Sequence, residues 1–286
     1  HLHIMLTLIA VAITLIVGRW IKFKGLLHKI AMPLMISGTI IITAGALSVV
    51  WVEWAHTIIY FGSVFVMLAA LLYVIYTWDT LVKEGTADIK KPKLFQKMGA
   101  LLRDPLKFGP GWQMVFMNFT VSGVGIFMAV KLEEIFRVWP HREERVTLTG
   151  HWHILASLIA TIILMYFADL SGLKGKVRQW FGWLLIILSD LAFGSVTVFS
   201  MKRLFVDEIN QQSLVNTTML LTDLGLGFLL VILALLLLWR LYDLFQAKGH
   251  WTREFKAERK QSAAAEIKEQ ERKLEELTAV LKEGST

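Results

Sequence analysis

Eight histidines are the residues of this chain best suited to chemistry, and four of them form two copies of one pattern. His1-Leu2-His3 opens the chain, and His151-Trp152-His153 repeats the H-x-H spacing. Imidazole nitrogen binds haem iron, copper and zinc. On an α-helix, two positions two residues apart lie about 200° apart around the axis, so each imidazole would hold its own cofactor. In an extended chain both side chains face one way, and the pair would chelate one copper or zinc ion.

The elements that carry these histidines are long apolar runs. Hydrophobic residues make up 55% of the 286 residues and the mean hydropathy is +0.56, which excludes an ordinary soluble enzyme. None of the runs alternates like a strand, and each is near the length that crosses a bilayer. We therefore predict an all-α, polytopic transmembrane helix bundle of about seven spans, at 2–18, 27–50, 55–78, 113–132, 152–168, 179–200 and 214–240.

Lysine and arginine set the expected orientation. They are concentrated in the loops 19–29, 79–112 and 169–178 and in the tail after residue 240, whereas the loops between these are poorer or mixed. By the positive-inside rule, the N-terminus lies outside and the C-terminus in the cytoplasm of a prokaryotic inner (cytoplasmic) membrane. The net charge of +7 then reflects orientation in a membrane, so we expect membrane lipid and no nucleic acid as a partner.

The same orientation gathers most of the histidines on one side. His28 and His250 lie on the cytoplasmic side, and the other six lie at or near the outer membrane surface. The chain has no cysteine, which excludes disulfides, cysteine-ligated zinc, iron–sulfur clusters and covalently attached c-type haem. Histidine is therefore the candidate metal ligand. The outer set is His1, His3, His56, His141, His151 and His153.

The two H-x-H motifs begin two copies of an internal repeat. Residues 1–10 align with residues 151–160 at an offset of 150, and the same offset matches Lys24-Gly25 with Lys174-Gly175. Four predicted helices separate the copies, so both copies run in the same direction through the membrane. This predicts a parallel repeat of a four-helix unit, related by a pseudo-two-fold axis along the membrane normal.

The repeat divides the chain into three predicted parts. Residues 1–149 form a first transmembrane unit of four helices, and residues 150–245 form a second unit of three. Residues 246–286 form a cytoplasmic amphipathic or coiled-coil tail, because apolar residues recur every seven positions at Ile267, Leu274 and Leu281. The chain begins at His1, so we expect either a processed precursor or a missing start.

The repeated histidine pairs resemble one helix of a known family. His151-Trp152-His153 and His1-Leu2-His3 are similar to the H-x-H of the haem-copper oxidase and nitric oxide reductase superfamily. In that family the first histidine holds the high-spin haem and the second the low-spin haem, near the outer side. The resemblance implies that His151 is the high-spin ligand and His153 the low-spin ligand. It covers about ten residues per copy, and the chain has fewer helices than the family.

Two carboxylates lie inside predicted spans. Asp190 falls near the middle of the sixth span, and Asp223 falls in the outer half of the seventh. A carboxylate in hydrocarbon must face the bundle interior, be protonated or have a partner. We expect either acid to relay protons, to contact quinol or to hydrogen-bond a haem ligand; a plain interhelical hydrogen bond is the other interpretation.

These features predict a membrane b-type cytochrome subunit of a respiratory complex, with one or more haem b. It would move electrons between membrane quinol or quinone and an external redox partner, such as a c-type cytochrome, beside other subunits of the complex. Two alternatives stay open: a copper- or zinc-binding membrane protein, and a cofactor-free anchor or scaffold subunit. The expected axial ligands of haem iron are His3, His56, His151 and His153, with His1 and His141 as further candidates.

Overall fold

The structure is a computed structural model that describes residues 2–49, 51–52 and 54–246, together with tail positions 257, 260, 261, 264, 265, 267 and 272. These residues contain no strand, so the predicted all-α class is confirmed. His1, Leu274 and Leu281 lie outside the described residues, as do the side chains of His3 and His151. The helices are α1 (Leu2–Trp20), α2 (Leu26–Ser48), α3 (Ala55–Gly85), α4 (Leu94–Leu101), α5 (Pro105–Met117), α6 (Val124–Val130), α7 (His141–Leu170), α8 (Gly175–Ser200), α9 (Lys202–Phe205) and α10 (Gln211–Phe245).

Five helical segments of the described chain are long and apolar enough to cross a membrane. They are α2, α3, α7, α8 and the segment Glu208–Phe245, which contains α10. The chain is therefore an integral membrane protein. The two further spans predicted from sequence correspond to α1, which is apolar over Thr7–Trp20, and to α5 and α6. A π-helical turn at Asn118–Gly123 divides α5 from α6, so neither piece alone has the length of a span.

Helices α2 and α3 pack against each other through glycine. A Cβ atom on Gly38 would lie 2.7 Å from the carbonyl oxygen of Gly62, and one on Gly62 would lie 2.8 Å from the backbone nitrogen of Ile42. No side chain fits at such distances, so glycine allows the two backbones to come together. The contacts run from Gly38 with Gly62 to Gly45 with Ala55, which makes the two helices antiparallel.

A charged network around Arg178 holds one end of the helix bundle, named here the Arg178 end. The Arg178 guanidinium donates to both carboxylate oxygens of Asp104, at 3.0 and 2.9 Å, and also forms an ion pair with Asp169. Asp169 in turn accepts a hydrogen bond of 2.7 Å from the indole Nε1 of Trp20. Because these side chains come from α8, the start of α5, α7 and α1, one arginine ties four helices together.

The other end of the bundle, named here the His153 end, is joined by separate contacts. The hydroxyl of Thr147 donates to the carbonyl of Ser200 at 2.6 Å, and a Cβ on Gly150 would lie 3.2 Å from the Ser200 side chain. Glu143 pairs with Arg203 in the short helix after α8. The first three turns of α7 are therefore anchored to the end of α8.

Two turns near the Arg178 end require glycine. Gly25 has φ +85° and precedes α2, and Gly175 has φ +60° and is the first residue of α8. Residues with a side chain rarely adopt these backbone angles. The two glycines are 150 residues apart, the offset at which the sequence aligns with itself. The repeat remains a prediction, and this shared turn geometry is an observation in its favour.

The chain divides into two compact units, His1–Ile232 and Leu233–Thr286. All the contacts described above lie in the first unit. In the second unit, the Arg240 guanidinium lies 4.2 Å from the centre of the Trp239 ring and 3.5 Å from the Asp243 carboxylate. The division predicted from sequence rests on the internal repeat and stays a prediction. Its parts are 1–149, 150–245 and 246–286.

Two helices begin earlier than the apolar runs suggest. Helix α5 begins at Pro105, eight residues before the predicted span at 113, because Pro105 occupies the first turn, where proline is accepted. Helix α7 begins at His141 rather than near 152, directly after Pro140. Its first turns are charged, so hydropathy does not reveal them. The short helix α4 lies in the segment 79–112, which the sequence analysis treats only as a basic loop.

Candidate functional site

Helices α1, α3 and α7 run parallel and begin at the same end of the bundle. Trp20 contacts Asp169, 149 residues away, and its ring lies 5.2 Å from that of Tyr166, 146 residues away. The hydroxyl of Tyr76 donates to the Lys22 carbonyl at 3.1 Å, across 54 residues. Since all three helices rise about 1.5 Å per residue, position 3 lies level with about positions 149–152 of α7 and about position 57 of α3.

This register brings four predicted ligands to one level. His3 lies in the first turn of α1, His56 is the second residue of α3, and residues 151 and 153 lie a third of the way along α7. The side chains of His56 and His153 are exposed on the surface of the chain. Thus the structure places His3, His56, His151 and His153 at one level, although they come from distant parts of the sequence.

His141 stands apart from this level. It is the first residue of α7 and precedes His153 by about three turns, roughly 18 Å along the axis. Its Nε2 lies 3.5 Å from a guanidinium nitrogen of Arg145. A guanidinium only donates hydrogen bonds, so this long contact engages the lone pair of Nε2 that a metal would use. The structure therefore does not bring His141 to the other histidines.

The backbone of the second H-x-H motif is helical. Residues 149–153 lie inside α7, so positions 151 and 153 fall on different faces of the helix, about 200° apart. The extended geometry that would let both imidazoles chelate one ion does not occur here. The helix instead presents each position to a different side, which favours one cofactor for each histidine.

His153 is held in a defined tautomer. Its Nδ1 lies 3.0 Å from the carbonyl oxygen of Thr149, one turn earlier in α7. A carbonyl only accepts hydrogen bonds, so Nδ1 carries the proton and Nε2 keeps a lone pair. Metal-binding histidines commonly have this arrangement, in which a backbone carbonyl fixes the ring and raises the basicity of the free nitrogen. His153 thus fits the role of an axial ligand of haem iron.

Among the side chains that the structure describes, the histidines form no chelating cluster. Within the part of the chain that the structure describes, no three His, Cys, Asp or Glu side chains lie close enough together to hold one ion. Haem needs a single imidazole on each face of the ring, whereas zinc or copper bound by protein alone needs several ligands around one point.

An open apolar groove lies at the same end of the bundle. It encloses about 480 Å³ between the π-helical turn, α6 and the end of α8, and its lining includes Phe119, Gly123, Phe127, Thr197 and Phe205. Thr197 is close in sequence to Ser200, which contacts Thr147 and Gly150 of α7. The groove is therefore near the level of His151 and His153. Its size and its apolar lining suit the ring and tail of a membrane quinol.

Asp190 forms a buried polar cluster with α5. Its carboxylate accepts a hydrogen bond of 2.6 Å from the indole Nε1 of Trp112 and one of 2.9 Å from the amide Nε2 of Gln113. The same Gln113 nitrogen donates to the hydroxyl of Ser189 at 3.0 Å. Gln113 and Ser189 are fully buried. Both carboxylate oxygens accept from neutral donors, and the side chain of Gln113 joins α5 to α8.

Aromatic rings pack beside this cluster. Phe108 stacks on Trp78 at 5.4 Å and on Trp112 at 6.1 Å between ring centres, and Trp183 lies 6.0 Å from the same ring. The Oε1 atom of Gln113 is buried and has no hydrogen-bond partner among the described residues.

Asp223 lies on a different surface from Asp190. Helix α10 crosses α8 at Gly225, where a Cβ would lie 2.9 Å from the Leu188 carbonyl and 3.0 Å from Ala192. Asp223 therefore lies almost level with Asp190, but its side chain is exposed on α10. The structure does not bring the two acids together, so they do not form a paired relay.

Sequence reasoning missed three residues of the candidate site. The prediction assigns Trp112 to the end of the 79–112 loop and Gln113 to the start of the 113–132 span, without a role for either. The hydrogen-bonding role of the Thr149 carbonyl depends on a helix that hydropathy does not show. A polar pair, Trp-Gln, at the start of an apolar run was the available signal. No family model, curated protein or solved structure matches this chain.

Proposed function

We propose that this protein is a membrane b-type cytochrome subunit of a respiratory complex. It transfers electrons between membrane quinol or quinone and an external redox partner, such as a c-type cytochrome or another redox subunit. The observation that carries the proposal is His153, whose Nδ1 is bound to the Thr149 carbonyl at 3.0 Å and whose Nε2 is free. His153 lies on a membrane helix, level with His3 and His56.

Haem b, when bound, supplies reversible one-electron chemistry. The protein supplies axial imidazoles, a fixed ring orientation and an apolar surrounding, which together set the reduction potential. His3, His56, His151 and His153 are the proposed ligands, because one level of the bundle carries all four. His1 is a further candidate that lies outside the described residues, and His141 is the weakest candidate because Arg145 engages its Nε2.

The apolar groove is the proposed quinol site. Phe119, Phe127 and Phe205 offer aromatic surface to a quinone ring, and the groove is open along the helices for a tail. Because the groove lies near the level of His151 and His153, electrons would travel only a short distance from a quinol bound there to a haem held by these residues. Oxidation of a quinol also releases protons, so a titratable group within the bundle is needed near this path.

Asp190 is the proposed proton relay. Its carboxylate lies inside the bundle and accepts hydrogen bonds from two neutral donors, Trp112 and Gln113. If Asp190 takes up a proton, its hydroxyl needs an acceptor, and rotation of the Gln113 amide by half a turn would present Oε1. Gln113 can therefore donate a hydrogen bond to the ionised carboxylate of Asp190 and accept one from its protonated form. Asp223 is left out of the relay because it lies on another surface.

The proposed topology has seven spans and a parallel repeat. Helix α1 has 19 residues, which reach about 28 Å, and the helical run Pro105–Val130 is uninterrupted apart from its change to π geometry. Both are long enough for a hydrocarbon core of about 30 Å. The N-terminus would lie outside and the C-terminus in the cytoplasm of a prokaryotic inner membrane, by the distribution of lysine and arginine.

The test measures haem and metal per purified chain. We expect a Soret band and a b-type pyridine haemochrome in the wild type, and the loss of about one haem in His153→Ala. The matched control is His28→Ala, whose ring packs 5.4 Å from Phe23 at the Arg178 end and which should keep the full spectrum. Both variants should insert into the membrane, because insertion depends on the apolar helices.

Other results would support the alternatives. Bound copper or zinc without a Soret band would indicate a metal-binding membrane protein. Neither haem nor metal in protein isolated from its native membrane would indicate a cofactor-free anchor or scaffold subunit. Full haem content in His153→Ala would remove the observation on which the cytochrome proposal rests.

A further inference from the structure

Helix α10 carries a row of polar and small residues on its exposed surface. Gln212, Asn216, Asp223 and Gly227, named here the α10 stripe, are all exposed. Their spacings of four, seven and four residues place them on one face of the helix. Between and beside them lie exposed apolar side chains, including Leu220 and Leu224. The stripe thus lies on an exposed face of a membrane helix. If no other protein covers this face, lipid is its only neighbour.

The polar groups beside the stripe are satisfied within the helix. The hydroxyls of Thr218 and Thr222 donate to carbonyls one turn earlier at 2.8 and 2.7 Å, and Gln212 Nε2 donates to Asn216 Oδ1 at 2.9 Å. Asp223 differs, since its carboxylate has no hydrogen-bond or ion-pair partner among the residues that the structure describes. It lies 12 positions after the start of α10, roughly 18 Å along the axis.

A carboxylate at this depth is costly unless a partner compensates it. Asp190 has such partners within the chain, because two side chains of α5 donate hydrogen bonds to its carboxylate. No equivalent donor faces Asp223 within the described structure, so this acid is either protonated or compensated by another molecule. A lysine or arginine on a neighbouring membrane helix supplies both the charge and the hydrogen bonds.

We propose that the α10 stripe is a docking surface for a transmembrane helix of another subunit, which presents a lysine or arginine at the level of Asp223. Gly227 supports close approach, because open space surrounds the position where its Cβ would be. The stripe covers 15 residues in four helical turns, about 3.75 residues per turn, which matches the right-handed packing of two membrane helices. The proposal stands independently of the cytochrome function.

A second copy of this chain does not fit the stripe. Copies in one membrane have the same orientation, so a two-fold contact through α10 would set Asp223 against Asp223. Two carboxylates facing each other in hydrocarbon repel, and neither would gain a donor. The partner is therefore a different chain with a basic residue in its span.

The experiment uses a photoreactive residue incorporated into the full chain in its native membrane. Leu220, which lies beside the stripe with 59% of its surface exposed, is compared with Ile40 on α2, with 63% exposed. We expect a protein crosslink at position 220 and none at position 40, and mass spectrometry should identify a partner helix with lysine or arginine in its span. Asp223→Leu should lower the crosslink yield at least tenfold, and Asp223→Asn should lower it less.

A charge exchange completes the test. Asp223→Lys should abolish the crosslink, and replacement of the partner's basic residue by Asp should restore it. Crosslinks to lipid alone, to a second copy of the chain, or to a helix without a basic residue would each overturn the proposal. Haem content is measured in the same samples; its retention in Asp223→Leu, together with a lost crosslink, separates this proposal from the cytochrome proposal.

Discussion

Asp190 and Asp223 are the same residue type at almost the same level of adjacent helices, yet their surroundings differ completely. Asp190 accepts hydrogen bonds from Trp112 and Gln113 and is enclosed by aromatic rings. Asp223 is exposed and has no partner in the described chain. The comparison shows that a membrane protein can place one acid for its own internal chemistry and another for a neighbour. Burial, rather than depth in the membrane, distinguishes the two.

The largest expected difference is in stability. Asp190→Leu leaves the Trp112 indole N–H without an acceptor, which costs about 1–3 kcal/mol, and removes one hydrogen bond of Gln113, worth about 0.5–1.5 kcal/mol, while Gln113 keeps its bond to Ser189. We expect the free energy of unfolding to fall by about 2–4 kcal/mol, whereas Asp223→Leu should change it by less than about 0.5 kcal/mol. Unfolding of the isolated chain in mixed detergent measures both. Equal losses in the two variants would show that Asp223 has an internal partner after all.

A second comparison uses the two glycines that flank the crossing of α10 and α8. Gly225→Leu forces side-chain atoms against the Leu188 carbonyl and Ala192, and such overpacking costs about 1–3 kcal/mol. Gly227→Leu meets open space and should leave the stability of the isolated chain unchanged. The same detergent unfolding measures the stability difference. The crosslink at position 220 should, in contrast, be lost in Gly227→Leu, because the added side chain keeps a partner helix away.

The smallest expected effect concerns electron transfer. Asp190→Asn keeps the size and most hydrogen bonds of the side chain but cannot carry a proton. We expect quinol-dependent reduction of the protein to slow about tenfold, which corresponds to about 1.4 kcal/mol in the activation barrier. Asp223→Asn should keep the wild-type rate. Stopped-flow reduction with a soluble quinol measures both, and an unchanged rate in Asp190→Asn would leave this residue a structural hydrogen bond.

The membrane-spanning character could be predicted from sequence because hydrophobicity is a property of single residues. The apolar runs at 27–50, 55–78 and 179–200 coincide closely with α2, most of α3 and α8. The start of α5 could not be predicted, because Gly109, Pro110 and Gly111 look like helix breakers. In the structure, Gly109 and Gly111 make room for Met165 and Trp78, so the small residues serve packing between helices.

The partners of the candidate site could not be predicted, because they depend on contacts between distant segments. Trp112 and Gln113 meet Asp190 across 78 and 77 residues, and a single sequence holds no information about that pairing. The sequence shows the histidine pairs as a pattern, but it does not show the backbone conformation at these positions. Only the early start of α7, at His141, shows that residues 149–153 are helical and that the Thr149 carbonyl faces His153.

The π-helical turn at Asn118–Gly123 has a consequence for how this helix tolerates insertions and deletions. A π turn holds one residue more than an α turn, and each residue turns a helix by about 100°. Removal of a single residue such as Thr120 would return the run to continuous α-helix, and later positions would keep their directions because the π turn had absorbed the extra residue. Phe127, which lines the apolar groove, would still face it. Removal of one residue from an α-helical stretch of the same run would instead rotate every later position by about 100° and exchange the lining of the groove, so the π turn is the place where this helix tolerates a change of one residue in length.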